Sequence, residues 1–530
     1  MSKCSKSYIS LLLSFLMIIS LAVFAAELGI LKVEAEEIIY GDVSGDGIVN
    51  STDYTMMRRY QLKIIASFPV LNWQTVADVK PDGKIDSTDY TILRRYILGI
   101  IDSLPYGESS VTPAPTVILP TTTPPTSTPT VLQGDLFVAP YGEDGNPGTL
   151  DKPTTLESAI TRITPGNTIY MLGGTYEYST EIVIERTNSG VSGKMKSIFA
   201  YGSQKPVLDF SSQPYISNDV NQKGIRLVGS YWHIKGLEIT GSADNGMYLC
   251  GHYNLIEQCV FHHNRDTGLQ ISRHSEQDTY KDWPSYNLVL NCDSFENDDP
   301  DNHEDADGFA CKLTSGDGNV FRGCIAYHNN DDGWDLYTKP ATGPIGEVLI
   351  ENCIAYENGY RSNGSGGISS TPGDGNGFKL GGSEMPVDHT IRYSIAFKNR
   401  VKGIHYNSNS GSILVENCTS WDNHGGGNFV FLRGNHIFKN NLSFYNVGKK
   451  DEISGTDVEG SNCWWNHNIG SISAKGLVVS EDDFISLAPT ISRNADGSIN
   501  LGNFLKLSSN SDLIDAGTPQ GTDIGAVESN

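Results

Sequence analysis

The chain has 530 residues, a formal net charge of −24 and an isoelectric point near 4.8. That length allows more than one domain. The acidic balance excludes a general nucleic-acid-binding protein, because phosphate backbones attract basic surfaces. The 56 glycines suit a fold with many turns.

Residues 1–35 have the pattern of a secretory signal peptide. Lys3 and Lys6 precede an apolar run from about Ile9 to Phe24, and small residues follow. The apolar run is short for a membrane span, and no second long apolar run follows it. We therefore expect a secreted, extracellular protein without a membrane span.

Residues 38–107 contain a duplicated segment in which an Asp-rich loop runs into a helical pattern. Oxygen ligands at loop positions 1, 3, 5, 9 and 12, with Gly at 6 and a main-chain ligand at 7, describe an EF-hand-like calcium loop. Lys80 stands at position 3 of the second copy, so we expect weaker calcium binding there. The predicted calcium ligands are Asp42, Ser44, Asp46, Ile48, Asn50 and Asp53 in the first loop, and Asp78, Asp82, Lys84, Asp86 and Asp89 in the second.

This segment resembles a type I dockerin, the small α-helical module that attaches cellulosomal enzymes to the cohesin modules of a scaffoldin. The resemblance implies a cohesin partner and cellulosome association. The near-identity of the two halves implies a pseudo-twofold surface that can bind in either orientation. By resemblance, the cohesin-contacting residues are Ser51, Thr52, Arg58 and Arg59, and their counterparts Ser87, Thr88, Arg94 and Arg95.

Residues 108–133 are rich in Pro and Thr and predict an extended linker, because such a stretch cannot bury a core. The chain from 134 to 530 then repeats a unit of about two dozen residues, lengthened by insertions. Repeats of this kind, with strands and an Asn at one turn, predict an all-β parallel β-helix. The recurring turn residues are Asn264, Asn297, Asn329, Asn358, Asn399, Asn423 and Asn446.

The Asn side chains are expected to bond from coil to coil, and to adopt the left-handed conformation that such turns require. Cysteines that share one phase of the repeat predict an interior ladder. Stacked parallel strands rarely give disulfide geometry, so we expect free, buried thiols at these positions. They are Cys259, Cys292, Cys324, Cys353 and Cys418.

A second alignment predicts one reactive face. After each turn a Gly opens a strand whose first and third following residues are apolar, so the residue between them points outward to solvent. This row places Asp335 and Lys379 on consecutive coils. The row consists of Tyr248, Gln270, Ala310, Asp335, Lys379, His405 and Val430.

Carboxylates converge beside this row. Asp307 and Asp332 precede the Gly on consecutive coils, and Asp331 lies at the same turn. Four carboxylates this close require a cation, and oxygen-only ligands favour Ca²⁺. The sequence thus predicts a calcium site at Asp307, Asp331, Asp332 and Asp335 with Lys379 beside it. The long turns 297–308 and 358–377 are expected to wall a cleft around it.

The segments Asp307-Gly-Phe, Asp331-Asp-Gly-Trp-Asp-Leu and Gly375-Asn-Gly-Phe-Lys-Leu resemble the signature of polysaccharide lyase family 9, the pectate lyases. The resemblance implies a right-handed β-helix in which the four Asp residues bind calcium and Lys379 is the catalytic base. It further implies β-elimination on α-1,4-linked polygalacturonate.

Lys312, Arg400, Lys402 and His405 are candidates to contact substrate carboxylates, and we expect a monomer apart from the cohesin complex. Other functions stay open from the sequence. They are a lyase of another uronate polymer such as rhamnogalacturonan or alginate, an inverting β-helix hydrolase that uses two Asp without metal, and a non-catalytic carbohydrate-binding solenoid.

Overall fold

A computed structural model describes residues 39–45, 49, 53–54, 56–57, 60, 67–70, 72–81, 83–85, 89–90, 92–93, 96, 104, 131–218, 220–363, 365, 367–447 and 449–529. These residues fall into two compact units, with the boundary between residues 122 and 123. The predicted signal peptide, most of the predicted linker and all eight predicted cohesin-contacting residues lie outside the described residues. So do Asp46, Ile48, Asn50, Asp82 and Asp86 of the calcium loops.

The first unit has a small apolar core that includes Val43, Met57 and Leu93 and a short helix, α1 (Trp73–Ala77). Its two loops are held alike, because the carboxylate at loop position 12 accepts a bond from the main chain at position 3. Asp53 accepts from the Ser44 N–H at 2.8 Å, and Asp89 accepts from the Lys80 N–H at 3.0 Å.

Asp42 and Asp78, at position 1 of the two loops, accept bonds from the N–H groups of Gly45 and Gly83 at 2.8 and 2.9 Å. Lys84 follows at position 7 of the second loop. The rings of Tyr54 and Tyr90, one residue past each loop, stack with centroids 4.5 Å apart. The two copies thus share the bond from position 3 to position 12, but the position-1 carboxylate accepts from position 4 in the first loop and from position 6 in the second.

The described residues of the second unit form mostly short strands, together with one helix, α2 (Leu156–Arg162), and three 3-10 turns at Tyr280–Asp282, Val458–Gly460 and Glu481–Asp483. The strands in chain order are β1 (Leu136–Val138), β2 (Thr168–Met171), β3 (Gly174–Glu177), β4 (Ile182–Ile184), β5 (Lys196–Ala200), β6 (Pro206–Asp209), β7 (Ile225–Leu227), β8 (Trp232–Lys235), β9 (Glu238–Thr240), β10 (Met247–Leu249), β11 (Leu255–Glu257), β12 (Val260–His262), β13 (Leu269–Ile271), β14 (Leu288–Leu290), β15 (Asp293–Phe295), β16 (Phe309–Cys311), β17 (Asn319–Arg322), β18 (Ile325–Tyr327), β19 (Trp334–Asp335), β20 (Val348–Glu351), β21 (Ile354–Tyr356), β22 (Tyr360–Ser362), β23 (Ile368–Ser370), β24 (Phe378–Lys379), β25 (Thr390–Arg392), β26 (Ile395–Phe397), β27 (Ile404–His405), β28 (Leu414–Glu416), β29 (Thr419–Trp421), β30 (Phe429–Lys439), β31 (Leu442–Phe444), β32 (Glu452–Asp457), β33 (Cys463–Asn466), β34 (Gly470–Ser473), β35 (Val478–Val479), β36 (Ser492–Arg493) and β37 (Ile499–Asn500).

Three parallel faces run along this unit, which confirms the predicted parallel β-helix. The first face comprises β1, β2, β5, β8, β11, β14, β17, β20, β25 and β28, and the third comprises β4, β7, β10, β13, β16, β19, β24 and β27; the long strand β30 joins them into one sheet. The second face comprises β3, β6, β9, β12, β15, β18, β21, β26, β29, β31 and β33, and ends in the antiparallel strands β34 and β35.

The interior between the faces is one continuous apolar core. It runs from the α2 residues Leu156 and Ile160 to Phe438. The predicted cysteine ladder lies in it, and all eight cysteines that the structure describes are free and buried. The prediction of unbridged thiols is thus confirmed for the described part of the chain.

The turn between the second and third faces carries the predicted asparagine ladder. Each Asn donates from Nδ2 to Oδ1 of the next Asn along the axis, from Asn264 through to Asn423, at 2.8–3.0 Å. The expected left-handed conformation is wrong for the ladder itself. It falls one residue earlier, as at His263 with φ 56° and Glu296 with φ 55°. The preceding residue makes the bend, which leaves the Asn free to point its side chain inward.

A second apolar core forms where the C-terminal segment packs on the second face. Phe504 and Leu513 join Phe397 and Trp421 of the coils in this core. Among the residues that the structure describes, no helix has the length and apolar character that a membrane crossing requires.

Candidate active site

The predicted outward row exists in the third face. Tyr248, Gln270, Ala310, Asp335, Lys379, His405 and Val430 are register partners on successive strands. The expectation that these side chains face solvent is wrong for most of them, because Gln270, Ala310, Asp335, His405 and Val430 are buried. Other parts of the chain therefore cover most of this row.

Three of the four predicted carboxylates meet closely. Asp307, Asp331 and Asp332 each present an oxygen within 4.8 Å of the others, and all are buried. We call these three residues together with buried Asp335 the acidic cluster. Gly308 and Gly333 follow Asp307 and Asp332 and immediately precede strands β16 and β19, so the repeat itself brings the carboxylates of consecutive coils together.

Main-chain and amide donors fix the carboxylates. Asn376 donates to Asp332 Oδ1 from both its N–H and its Nδ2, each at 2.7 Å. Asp331 accepts from the Asp374 N–H, and Asp335 Oδ1 accepts from the Tyr337 N–H at 2.9 Å. Asn376 lies in the signature segment, yet the repeat phase did not indicate its contact with Asp332.

Lys379 extends from β24 into the acidic cluster. Its Nζ lies 3.1 Å from Asp332 Oδ2, 3.8 Å from Asp335 Oδ2 and 3.6 Å from Asp374 Oδ2. The side chain is 12 % exposed, so the amine is largely shielded from bulk water.

The charges inside the site strongly perturb one another. Burial raises the pKa of Asp307 and of Asp331 well above the usual range, and it also raises the pKa of Asp332. Burial by itself favours the neutral amine of Lys379, but the charges of Asp332, Asp335, Asp331 and Asp307 outweigh it and raise the pKa of this lysine well above its ordinary value.

Lys312 is not at a substrate surface, as had been expected, but inside the acidic cluster. Its Nζ lies 2.8 Å from Asp307 Oδ2, 3.3 Å from Asp335 Oδ2 and 3.4 Å from Asp305 Oδ1, and its side chain is 5 % exposed. Because its charge is already paired and covered, it cannot meet a substrate carboxylate without breaking these contacts.

The other substrate candidates occupy different environments. Arg400 donates from Nη2 to the main-chain oxygens of Gly373 and Asp374, so it braces the turn that reaches the acidic cluster. Lys402 is half-buried, and burial lowers its pKa despite the charges of Asp332 and Asp374.

His405 is buried next to Lys379 in the register. Burial, together with the charges of Lys402 and Lys379, lowers the pKa of its ring well below the ordinary value. The contact between His405 and a substrate carboxylate stays a prediction, and the ring is buried in this structure.

The two long turns pack on one side of the site. In the second, β22 and β23 form an antiparallel hairpin whose Arg361 pairs with Glu296 and Asp298 next to the first. Ser217 also contacts the first turn, because its Oγ donates to Asp301 Oδ1 at 2.6 Å. These contacts connect 297–308 with 358–377 beside the acidic cluster.

Comparison with known proteins agrees with this geometry. Residues 136–441 match the family described as Pel9A-like, right handed beta helix region, and residues 40–98 match the dockerin type I domain. The chain is 53 % identical over 397 residues to pectate lyase L of Paenibacillus polymyxa, covering 75 % of this chain and 86 % of that one.

Two further relatives give the same result. Pectate lyase L of Dickeya chrysanthemi is 36 % identical over 416 residues, covering 74 % of this chain and 90 % of that one. The crystal structure of pectate lyase Pel9A superposes with a TM-score of 0.62 at 33 % identity, covering 74 % of this chain and 96 % of that one.

Fold, site and relatives together define a β-helix polysaccharide lyase. The chain belongs to the Pel9A-like family of right-handed β-helix proteins and carries a type I dockerin domain.

Proposed function

We propose that this enzyme is a calcium-dependent pectate lyase that cleaves α-1,4-linked polygalacturonate by β-elimination. One observation carries the proposal: Lys379 Nζ lies 3.1 Å from Asp332 Oδ2, at the edge of a site where Asp307, Asp331 and Asp332 converge within 4.8 Å. An amine beside a group of carboxylates can both accept a proton and adjoin a bound cation.

The acidic cluster fits a calcium ion. All its ligands are carboxylate oxygens, the donor type that Ca²⁺ prefers. Asp332 Oδ2 is buried and makes no hydrogen bond among the described residues, and the Lys379 ammonium 3.1 Å away is its ion-pair partner. Buried carboxylate oxygens of this kind are costly unless they are bound. Asp307, Asp331, Asp332 and Asp335 would hold the ion.

When bound, calcium would supply positive charge that offsets the carboxylates and attracts the carboxylate of a galacturonate unit. Lys379 would take the C5 proton, which is acidic because C5 adjoins that carboxylate. The C5–H electrons would then form the C4–C5 double bond as the C4–O bond breaks. The glycosidic oxygen would leave with the neighbouring sugar.

Lys379 must be neutral to accept a proton, and an ordinary lysine has a pKa of about 10.4. The acidic cluster alone raises the pKa of Lys379 further, so the base works only when those carboxylates are offset. The rate should accordingly rise toward alkaline pH, because the deprotonated fraction of Lys379 grows with pH.

We further propose that the enzyme is secreted and binds a scaffoldin cohesin through its dockerin. The match of residues 40–98 to the dockerin type I domain and the bond from loop position 3 to position 12 that both half-loops share support this partner. Native-gel titration with a purified type I cohesin should give a complex. A chain with Arg58→Ala and Arg94→Ala together should bind more weakly than either single variant if both orientations are used.

The substrate is tested by incubating the enzyme with polygalacturonate, rhamnogalacturonan and alginate in calcium and following ultraviolet absorbance. β-Elimination creates a conjugated unsaturated sugar that absorbs, whereas hydrolysis does not. Absorbance should rise fastest with polygalacturonate. A faster rise with either other polymer would overturn the proposed substrate, and reducing sugar without absorbance would overturn elimination.

A further inference from the structure

A second buried lysine contacts the acidic cluster in addition to Lys379. Lys312 Nζ contacts Asp307 Oδ2 at 2.8 Å and Asp335 Oδ2 at 3.3 Å. Asp335 Oδ2 therefore lies between two ammonium groups, since Lys379 Nζ is 3.8 Å from the same atom. Neither the outward row nor the family signature indicates a role for Lys312 at this place.

The local structure is built to hold Lys312 there. Asp307 and Lys312 flank strand β16 at its two ends, so the lysine side chain must run back along the strand to reach the carboxylate. Ala310 is the outward residue on that path and is fully buried, and a larger side chain would occupy the space. The Lys312 carbonyl accepts from Ser272 Oγ at 2.7 Å and from the Thr314 N–H at 2.7 Å, which anchors the backbone.

The charges explain why such a residue matters. Two ammonium groups face six carboxylates, because Asp305 and Asp374 also contact Lys312 and Lys379, so the site has an excess of negative charge that a divalent cation can offset. A buried charge without a partner is strongly destabilising. Lys312 is paired with Asp307 and Asp335 before any cation arrives, and it also repels a cation that binds there.

We propose that Lys312 is a positioning residue that acts as a resident counter-ion. It holds Asp307 and Asp335 in place in the calcium-free enzyme and weakens calcium binding by opposing the ion. This inference rests on the proposed calcium site. The two possible roles of Lys312 predict opposite changes in calcium affinity when the lysine is replaced. Loss of a purely structural contact would weaken calcium binding, whereas loss of an opposing charge strengthens it.

The test is calorimetric calcium titration of the full-length enzyme, its Lys312→Met and Lys312→Arg variants, and Asp332→Asn. The Asp332→Asn isotherm identifies the heat that belongs to this site rather than to the dockerin loops. Lys312→Met should bind calcium at least about tenfold more tightly, because a like charge a few ångströms away is removed. Lys312→Arg retains the charge and should stay close to wild type.

Thermal unfolding gives a second, independent readout. In chelator the Tm of Lys312→Met should fall below that of wild type, and calcium should restore most of the difference, because ligands stabilise the state they bind. If Lys312→Met folds only with calcium, its unfolding midpoint should climb more steeply with calcium concentration than that of wild type.

Unchanged or weaker calcium binding by Lys312→Met would overturn the counter-ion role. So would a Tm in chelator equal to that of wild type, or a folding defect that calcium does not relieve. Failure of the calcium site itself looks different: wild type and Asp332→Asn would then give the same isotherm.

Discussion

The asparagine ladder and the acidic cluster are two sets of buried polar side chains at the same turns of the same coils. Asn329 belongs to the ladder, and Asp331 follows it by two residues. The ladder repeats on every coil from Asn264 to Asn423, and each Nδ2 bonds the next Oδ1 at 2.8–3.0 Å.

Among the described residues the acidic cluster occurs once, and its buried Asp332 Oδ2 makes an ion pair with Lys379 at 3.1 Å but no hydrogen bond. In a repetitive fold, what every coil repeats stabilises the stack, because satisfied buried bonds favour one arrangement. What a few neighbouring coils change, and leave unsatisfied, points to binding or chemistry.

The largest expected difference between the two regions concerns Lys379→Ala. We expect kcat to fall by about 10²–10⁴-fold, the usual contribution of a general base, while the Tm in calcium changes little. Initial rates on polygalacturonate and thermal scans would measure both. Lys339→Ala removes an exposed lysine just after β19 and should leave the rate unchanged. Wild-type activity in Lys379→Ala would remove the lysine from the mechanism.

The converse change is Asn329→Ala in the ladder. Its Nδ2 donates to Asn358 Oδ1 at 3.0 Å and its Oδ1 accepts from Asn297 Nδ2 at 2.8 Å. The substitution therefore leaves both of these buried amide groups without this hydrogen-bond partner. Unfolding should become easier by about 1–3 kcal/mol, as measured by chemical denaturation, with kcat retained at low temperature. The exposed Asn468→Ala should not change stability. A selective loss of kcat would contradict the separation of the two regions.

Asn376→Ala tests the group that holds a proposed ligand without touching calcium. Its two bonds to Asp332 Oδ1 at 2.7 Å would be reduced to the main-chain one. Calcium affinity should fall by about 10–100-fold, the common effect of removing a residue that orients a ligand. Titration calorimetry would measure it, with exposed Asn363→Ala in the same insertion as control. Unaltered affinity would mean that Asp332 is oriented without Asn376.

A smaller effect is expected at His328, which lies outside the site and pairs with Glu296 at 3.3 Å and Glu357 at 2.9 Å. Burial disfavours the charged ring, but bonds to both carboxylates raise the pKa of His328 to about 9. A raised folded-state pKa contributes stability that is fully present below the ordinary pKa of about 6.5 and is lost as pH rises through about 9.

As pH rises from about 6.5 to about 9, the Tm of wild type should therefore drop more than that of His328→Gln. The corresponding difference in the free energy of unfolding should be on the order of 1 kcal/mol. The exposed His467→Gln should follow wild type. Parallel curves for wild type and His328→Gln would show that this pairing does not contribute.

The sequence predicted the parts of this molecule that follow from repetition. Asp335 and Lys379 could be placed on neighbouring coils because each strand starts at a Gly and the side-chain period is two, and the free thiols follow from one shared phase. It could not predict that Gln270 and Asp335 are buried, since burial depends on turns packed over the face. It also placed the left-handed backbone conformation at the ladder Asn residues, whereas the structure places it at the preceding residues, such as Glu296.

Side chains that leave their own coil were beyond such reasoning. Lys312 was expected at the substrate, because periodicity fixes the direction of a Cβ but not where a long flexible side chain ends. Asn376 and Arg400 act through an 18-residue stretch between Asn358 and Gly377 that has no repeat. Contacts across such a stretch depend on its folded path.

The most direct test measures formation of unsaturated product from polygalacturonate as calcium is titrated into enzyme stripped by a chelator, with Asp332→Asn in parallel. We predict no detectable rate in the stripped wild type, full recovery with calcium, and no recovery of Asp332→Asn over the same range. A stripped wild type that retains its rate, or an Asp332→Asn variant that recovers like wild type, would contradict a calcium site at the acidic cluster serving Lys379.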